Sequence, residues 1–238
     1  MSGLRVDGLD GRVALVTGAG GGIGTAVVET LLAQGARVVA ADLAEPAIER
    51  AFPLAMDVAD ETAVDRGFSE VERELGPVQV LVLNAGVFVI EAFEELSLSS
   101  WQRTIDINLT GAYLCARRAL PGMREAGWGR VVAIGSSAGK TGGSKAMAAY
   151  AASKAGVMAL AKSIASEYAA HGITANALAP SLIDTPMLAG IADLASRIPV
   201  GRLGRPQDVA DLVTFLASDH AGYITAEVVD VNGGFLID

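Results

Sequence analysis

Cysteine and histidine are nearly absent from this chain of 238 residues, which has one cysteine and two histidines. A single cysteine excludes an internal disulfide and fits a reducing, cytoplasmic location. Cys115 lies in a helical pattern with no histidine near it in sequence, so we expect a packed thiol rather than a nucleophile. His171 and His220 have no companion ligand at metal-binding spacing, and we therefore expect no metal site.

The chain also lacks an excess of basic residues and any long apolar run. Its 18 lysines and arginines are outnumbered by 27 aspartates and glutamates, and the net charge of −9 argues against nucleic-acid binding. Apolar residues make up 51% of the chain, but no run approaches the ~20 apolar residues of a membrane span. Residues 1–9 carry both charges and no apolar core, so neither a signal peptide nor a membrane partner is expected.

Short apolar runs alternate with amphipathic segments along the whole chain. The predicted strands are residues 12–17, 37–41, 53–57, 79–83, 129–136, 173–179 and 225–231. The predicted helices are 22–34, 60–74, 98–126, 146–170 and 206–217, with a short, weak one near 45–50. This alternation predicts a Rossmann-like, doubly wound α/β fold, a mostly seven-stranded parallel sheet with helices on both faces. No linker interrupts the pattern, so residues 1–238 are expected to form a single domain.

A glycine-rich segment follows the first predicted strand and opens the first predicted helix. It reads Thr17-Gly18-Ala-Gly-Gly21-Gly22-Ile23-Gly24. Glycines here allow a tight turn, close approach of the backbone to a pyrophosphate, and close packing of helix against strand. The helix N-terminus offers free N–H groups and a positive dipole end to the phosphates. Strand, loop and helix together predict a dinucleotide-binding site.

An acidic residue, Asp42, ends the second predicted strand, about 20 residues beyond the glycines. This position places a carboxylate where it can bind the adenosine ribose hydroxyls, and it would repel a 2′-phosphate. Residues 40–44 include no Arg or Lys that could reverse this preference. We therefore expect NAD (NADH) rather than NADP(H) as the cofactor.

The run Tyr150-Ala-Ala-Ser-Lys154 lies in the predicted helix 146–170. Residues four apart share one helical face, about one turn apart. A free phenol titrates near pH ~10, and a fixed cation nearby favours the phenolate. Tyr150 is therefore a candidate general acid/base, and Lys154 is expected to lower its pKa. Taken alone the pair is a weak signal, because most such pairs merely face solvent.

These motifs stand in the order typical of the short-chain dehydrogenase/reductase family, which the chain resembles from about Gly11 to Asp238. The further motifs that carry the resemblance are Asp57-Val58, Asn84-Ala85-Gly86, Asn108 within Asp106-Ile-Asn-Leu, Ile134-Gly135-Ser136, Asn176-Ala-Leu-Ala-Pro180, Ile183-x-Thr185, Gly201-Arg-Leu-Gly-Arg-Pro206 and Asp230-Val-Asn-Gly-Gly234. The resemblance implies hydride transfer between NAD(H) and a secondary alcohol or ketone.

The resemblance implies catalytic roles for Asn108, Ser136, Tyr150 and Lys154. Tyr150 would give or take the proton at the substrate oxygen, which Ser136 would bind and polarise. Lys154 would hold the nicotinamide ribose. Asn108 would carry a proton relay through water, or keep a helix bent beneath the site.

Two adjacent residues, Ser136 and Ser137, are candidates for the catalytic serine. The usual spacing of thirteen residues before the tyrosine selects Ser137. The local pattern Ile-Gly-Ser-x-x-Gly selects Ser136, with Gly139 as its glycine. Choosing Ser136 requires one extra residue in the loop 140–149, where an insertion costs little stability. Ser136 is favoured, and Ser137 stays the alternative.

Cofactor contacts follow from the same resemblance. They are expected at Gly18, Gly21, Gly22, Ile23, Gly24, Asp42, Asp57, Val58, Asn84, Ala85, Gly86, Tyr150, Lys154, Pro180, Ile183 and Thr185. Asp57 and Val58 would meet the adenine, residues 84–86 would pass the ribose and pyrophosphate, and residues 180–185 would fix the nicotinamide amide. Ser181 stands where the family often has glycine, and it would narrow the pocket, touch the substrate or be neutral.

The substrate is expected to be a small or medium, uncharged, partly apolar alcohol or ketone, because the lid segment 187–198 is mostly apolar. Phe88, Met147 and Leu188 are candidate pocket walls.

Two other functions stay open, a non-catalytic NAD-binding regulatory module and a 3-oxoacyl-thioester reductase. The second is disfavoured, because Gly127 and His171 stand where that group carries basic residues for docking an acidic carrier protein. The resemblance also implies a homotetramer, formed through helices 98–126 and 146–170 and the C-terminal segment.

Overall fold

The computed structural model describes residues 5–186 and 192–237. Seven strands in these ranges form one sheet whose paired strands all run parallel. They are β1 (Val13–Thr17), β2 (Arg37–Asp42), β3 (Phe52–Ala55), β4 (Val80–Leu83), β5 (Gly129–Ile134), β6 (Ile173–Pro180) and β7 (Val228–Val231). Their order is β3-β2-β1-β4-β5-β6-β7. The order reverses between β1 and β4, and the carboxyl ends of these strands mark the expected ligand crevice.

Helices cover both faces of the sheet, and the predicted fold class is confirmed. On one face lie α1 (Gly22–Ala33) and α7 (Pro206–Ala217); on the other lie α2 (Glu61–Glu74), α4 (Gly111–Ala126) and α6 (Ala148–Tyr168). The shorter elements are α3 (Leu98–Ile105), α5 (Ser137–Thr141) and 3-10 turns at Ala169–His171, Ala192–Arg197 and Asp219–Ala221. Since both faces are covered, the central strands read as continuous apolar runs, as in the fully buried β1.

The helix ends follow signals in the local sequence. The Asp60 carboxylate caps α2 by accepting hydrogen bonds from the N–H groups of Thr62 (2.9 Å) and Ala63 (3.3 Å), which the first turn would otherwise leave free. Pro206 begins α7, where its fixed φ suits the first helical position. Gly127 ends α4 at φ +63°, a left-handed conformation that favours glycine.

The predicted helix 98–126 is interrupted by a π-helical turn, Asp106–Thr110, between α3 and α4. Asn108 lies in this turn, and its side chain pairs with the backbone of Val87. Its Oδ1 accepts from the Val87 N–H (2.8 Å), and its Nδ2 donates to the Val87 carbonyl (3.0 Å). A π-helical turn inserts an extra residue into the helix and is frequent at functional sites. The geometry supports the expectation that Asn108 shapes the helix beneath the site.

Two other element predictions were wrong. Residues 45–48 are irregular and residues 49–50 form a turn, because Pro46 offers no N–H and Arg50 adopts φ +66°. The predicted strand 129–136 ends at Ile134, since the chain turns there into α5, which Ser136 caps by accepting from the Ala138 N–H. The pattern gave no sign of this helix, which has only five residues.

Candidate active site

The loop between β1 and α1 forms a cradle that requires glycine. Gly18 has φ +65°, in the region that favours glycine. A Cβ on Gly24 would lie 2.2 Å from the Gly18 carbonyl oxygen, and one on Gly22 would lie 3.0 Å from Thr185 Cγ2. No side chain among the described residues caps the N-terminus of α1, so its first N–H groups stay available to an anion. The loop therefore fits a pyrophosphate.

Asp42 lies at the end of β2 on the wall of the same cleft. Its Oδ2 accepts from the Gly20 N–H (2.9 Å), and its Oδ1 accepts from the Leu43 N–H (2.7 Å). A carboxylate has about four acceptor sites, so both oxygens keep capacity for ribose hydroxyls. A phosphate group at this position would be repelled by the negative charge of Asp42.

Thr17 and Asn84 join the ends of β1 and β4 beneath the cradle. The Thr17 hydroxyl accepts from the N–H groups of Asn84 (3.0 Å) and Ala85 (3.1 Å). The Asn84 amide donates to the carbonyls of Thr17 and Gly18, both at 2.9 Å. The prediction assigned no role to Thr17, although it stands directly before the first glycine. Its role is to hold the crevice in shape, and only the pairing of β1 with β4 reveals it.

The adenosine side of the cleft has a volume of about 910 Å³. Asp57 lines it, with its Oδ1 accepting from the Ala59 N–H (2.9 Å). Val58 is buried against α4, where a Cβ on Gly111 would lie 2.8 Å from Val58 Cγ2. Sequence reasoning missed the opposite wall, because no motif marks it: α3 and the turn after it contribute Ser99, Gln102, Arg103, Asp106 and Ile107.

A second cleft of about 570 Å³ adjoins the first and shares Ile23, Asn84, Gly86 and Thr185 with it. Ser136, Tyr150 and Lys154 line this second cleft. Every residue predicted to contact the cofactor lines one of the two clefts. Of the predicted catalytic residues, only Asn108 lies beneath the site rather than on its wall.

The side chains of Ser136 and Tyr150 line the same cleft, and the Ser136 hydroxyl lies near enough to the phenol to lower its pKa. The ring of Phe88, a predicted pocket wall, packs edge-on against Tyr150 with centroids 4.8 Å apart. Ser137 instead begins α5, and its carbonyl accepts from the Thr141 hydroxyl (3.1 Å). Both serines line the cleft, but the contact with Tyr150 supports Ser136.

Asn108 reaches Tyr150 through Ser153. The Asn108 Nδ2 donates to the Ser153 hydroxyl (2.9 Å), which donates to the Tyr150 carbonyl (2.8 Å). Ser153 is fully buried and was missed by the prediction, although it stands inside the Tyr-Ala-Ala-Ser-Lys run. This chain of hydrogen bonds ties the π-helical turn to the backbone of the candidate acid/base residue.

Lys154 is buried beside Gly86. Its Nζ donates to the Ile134 carbonyl at 2.7 Å, and burial lowers its pKa from 10.5 to about 8. A Cβ on Gly86 would lie 3.3 Å from Lys154 Nζ and 3.2 Å from Asn108 Oδ1. Glycine at position 86 therefore lets the ammonium group and the amide approach the same strand end.

The expectation that Lys154 lowers the pKa of Tyr150 was wrong for this arrangement. Burial raises the pKa of Tyr150, and the neighbouring Ser136 side chain offsets only part of that effect. Burial acts this way because an apolar surrounding disfavours the charged phenolate. Lys154 makes its hydrogen bond to Ile134 instead. Tyr150 is therefore held in its protonated form at neutral pH.

The far wall of the second cleft comes from the segment that follows β6. Pro180, Ile183 and Thr185 line it, and the N–H of Asp184 fixes the segment by donating to the Gly204 carbonyl (2.7 Å). Ser181 is only 7% exposed and also lines the cleft. Met147 lines it as predicted, whereas Leu188 lies outside the described residues.

Cys115 is a packed thiol, as predicted. It is fully buried in the core, and burial raises its pKa to about 12. Within residues 5–186 and 192–237, no group of three or more His, Cys, Asp or Glu side chains could hold a metal ion. In the same ranges, no helix combines the length and apolar character needed to cross a bilayer.

Comparison with known proteins identifies related enzymes over nearly the whole chain. The family model described as Enoyl-(Acyl carrier protein) reductase matches residues 18–236. The cis-4-hydroxycyclohexanecarboxylate dehydrogenase of Sinomonas cyclohexanicum is 42% identical, over 94% of this chain and 96% of its own. The 3-oxoacyl-(acyl-carrier-protein) reductase MabA of Mycobacterium tuberculosis is 41% identical, over 94% of this chain and 92% of its own.

Two solved structures are similar to this chain in both fold and sequence. The aldohexose dehydrogenase of Thermoplasma acidophilum superposes with a TM-score of 0.92 at 32% identity, covering 97% of this chain and 96% of that one. A short-chain type dehydrogenase/reductase from Mycobacterium marinum gives a TM-score of 0.91 at 31% identity, covering 97% of both chains. The order of motifs, the sheet and these relatives agree, and the chain belongs to the short-chain dehydrogenase/reductase family, whose members are oxidoreductases that use a nicotinamide cofactor.

Proposed function

We propose that this protein transfers a hydride between NAD(H) and a secondary alcohol or ketone, with Tyr150 as the general acid/base. The observation that carries the proposal is that Ser136, Tyr150 and Lys154 line one cleft, which adjoins the glycine cradle. A substrate oxygen placed against both hydroxyls would be polarised by Ser136 and would exchange a proton with Tyr150. The nicotinamide, when bound, supplies or accepts the hydride.

The protonation of Tyr150 sets the pH dependence of the two directions. Because burial raises its pKa, Tyr150 stands ready at neutral pH to donate a proton to a ketone oxygen. Alcohol oxidation requires the phenolate, so its rate should increase as the pH rises. Lys154, with a pKa of about 8, is largely charged at pH 7, and we propose that it holds the nicotinamide ribose.

We propose NAD(H) as the cofactor because of Asp42. Its carboxylate keeps free acceptor capacity on the wall of the adenosine cleft, which suits two ribose hydroxyls. A 2′-phosphate there would place like charges side by side. Asp57, Val58 and residues 84–86 would complete the adenosine side, and Pro180, Ile183 and Thr185 the nicotinamide side.

The proposed substrate is a compact, partly apolar alcohol or ketone. Part of the 570 Å³ cleft belongs to the nicotinamide side, and the space that remains suits a small molecule. Phe88, Ile90, Met147 and Phe235 give the walls their apolar character. The substrate named for the Sinomonas relative, a hydroxylated cyclohexane acid, is a secondary alcohol of this size.

A 3-oxoacyl-thioester reductase is the second candidate, since the Mycobacterium tuberculosis relative bears that name. This candidate is disfavoured because the surface that would bind an acidic carrier protein lacks the expected basic residues. Gly127 has no side chain and serves as the left-handed end of α4, and His171 lies exposed in a 3-10 turn. A purely regulatory module is disfavoured by the intact cluster of Ser136, Tyr150 and Lys154.

We further propose a cytoplasmic homotetramer. Exposed apolar side chains on the expected contact surfaces support the assembly: Tyr113 on α4 is 46% exposed, and Ile237 near the C-terminus is 89% exposed. Such side chains mark association surfaces when they cluster.

The experiment that tests the reaction is a panel of cyclic and linear ketones, with and without a carboxylate, and with one 3-oxoacyl thioester included. Each is mixed with NADH or NADPH, and the absorbance of the reduced nicotinamide is followed. Turnover of cyclic ketones with NADH is the expected result. Preference for the thioester would establish the second candidate, and no turnover across the panel, despite demonstrated NADH binding, would contradict the proposed reaction.

A further inference from the structure

The second cleft, where the substrate is proposed to bind, is lined by positive charge. The proposed cofactor contacts account for only one of its cations, Lys154. Its charged lining residues, in the part of the chain that the structure describes, are Lys154 and Arg197, with no aspartate or glutamate among them. The chain as a whole has a net charge of −9. A cleft lined by cations alone attracts anions, because low-dielectric walls focus its potential.

Among the described residues, Arg197 forms no ion pair. By contrast, Arg202 and Arg205 both pair with Asp208. Its guanidinium carbon lies 5.7 Å from the ring centroid of Phe235. Arginine has five N–H donors in a planar fork that matches a carboxylate. The guanidinium therefore has donors to offer an anion that enters the cleft.

The backbone that carries Arg197 is well anchored. The next residue, Ile198, is 4% exposed, and a Cβ on Gly233 would lie only 2.7 Å from its Cγ2. The Val200 N–H donates to the Gly233 carbonyl (3.1 Å), which joins this segment to the loop that bears Phe235. Arg197 and Phe235 thus form one wall of the cleft, while Tyr150 and Phe88 contribute to another part of its lining.

We propose that Arg197 binds a carboxylate of the substrate, so that the preferred substrates are compact oxo and hydroxy acids rather than neutral ketones. The inference rests on the proposed function for the identity of the site, and it replaces the expectation of an uncharged substrate. The reacting oxygen lies against Tyr150 and Ser136, and the carboxylate lies against the guanidinium. A substrate held at both ends is oriented for reaction, and its neutral analogue loses that orientation.

Equilibrium binding tests this inference without turnover. The probes are 4-oxocyclohexanecarboxylate and the neutral 4-methylcyclohexanone, each titrated by calorimetry into the protein saturated with NAD, which cannot reduce a ketone. The wild-type protein should bind the acid more tightly. Arg197→Gln should weaken binding of the acid roughly tenfold or more, as expected for a lost charge-assisted hydrogen bond, and leave the neutral ketone unchanged. Arg197→Lys should recover part of the loss.

The matched control is Arg66→Gln, which changes the net charge equally on the exposed face of α2. It should bind both probes as the wild type does. Equal binding of the acid by wild type and Arg197→Gln, or no preference of the wild type for the acid, would overturn the inference. Arg197-dependent binding without reduction by NADH would uphold the inference and contradict the proposed function, so the two failures are distinguishable.

Discussion

Replacing Lys154 with methionine should stabilise the nucleotide-free protein while it removes a residue that the proposed reaction needs. Lys154 is 5% exposed, and burial lowers its pKa from 10.5 to about 8. At about 1.4 kcal/mol per pKa unit, holding the ammonium charge in this site costs about 3 kcal/mol at neutral pH. Methionine has a similar length and no charge, so Lys154→Met removes that cost.

One favourable interaction is lost in the same substitution. The hydrogen bond from Lys154 to the Ile134 carbonyl contributes about 1 kcal/mol, which leaves a net gain of about 2 kcal/mol. The gain depends on pH. Between pH 8 and 10.5 the unfolded chain binds more protons than the folded one, so wild-type stability rises with pH through this interval. The advantage of Lys154→Met should therefore shrink towards about pH 10.

Urea unfolding followed by far-UV circular dichroism, at equal protein concentration near pH 7 and near pH 10, measures this difference. Lys162→Met is the control, because Lys162 lies exposed on the same helix, α6, and its replacement should change little at either pH. The reasoning would be refuted if Lys154→Met were less stable than the wild type near pH 7, or if its advantage were the same at both pH values.

The remaining predictions concern cofactor choice and the serine. Asp42→Asn keeps an acceptor for the Gly20 N–H but removes the charge, so the preference for NAD over NADP, measured as the ratio of dissociation constants, should fall about tenfold or more; an unchanged ratio would remove Asp42 from that role. Ser136→Ala should lower kcat about 100-fold or more through loss of a polarising donor, while Ser137→Ala stays near the wild type. The reverse pattern in initial-rate assays would assign the role to Ser137.

The main helices and strands were predictable because their signals are local. Helix α7 was predicted at 206–217 and begins and ends there, since Pro206 marks its start and its apolar face follows the helical repeat. The cradle glycines and Asp42 were predictable for the same reason, because strand, loop and helix follow one another directly in the sequence. A helix, strand or loop whose conformation is determined by residues close in sequence can be predicted from that stretch of sequence alone.

The features that escaped prediction depend on contacts between distant parts of the chain. The π-helical turn is held by Asn108 binding the backbone of Val87, 21 residues earlier. Thr17 binds the backbone of Asn84, 67 residues later. The expected lowering of the Tyr150 pKa failed for a related reason, because spacing along a helix indicates proximity to Lys154 but not burial. Here burial raises the pKa of Tyr150, and Lys154 is not among the groups that lower it.

The most direct test of the central claim is the rate of ketone reduction by Tyr150→Phe, measured with NADH on a substrate that the wild type turns over. Phenylalanine keeps the ring that packs against Phe88 and removes only the hydroxyl. The account predicts that kcat falls by about 100- to 10,000-fold, the usual contribution of a general acid/base, while the variant still binds NADH. A variant with ordinary turnover would contradict the acid/base role of Tyr150.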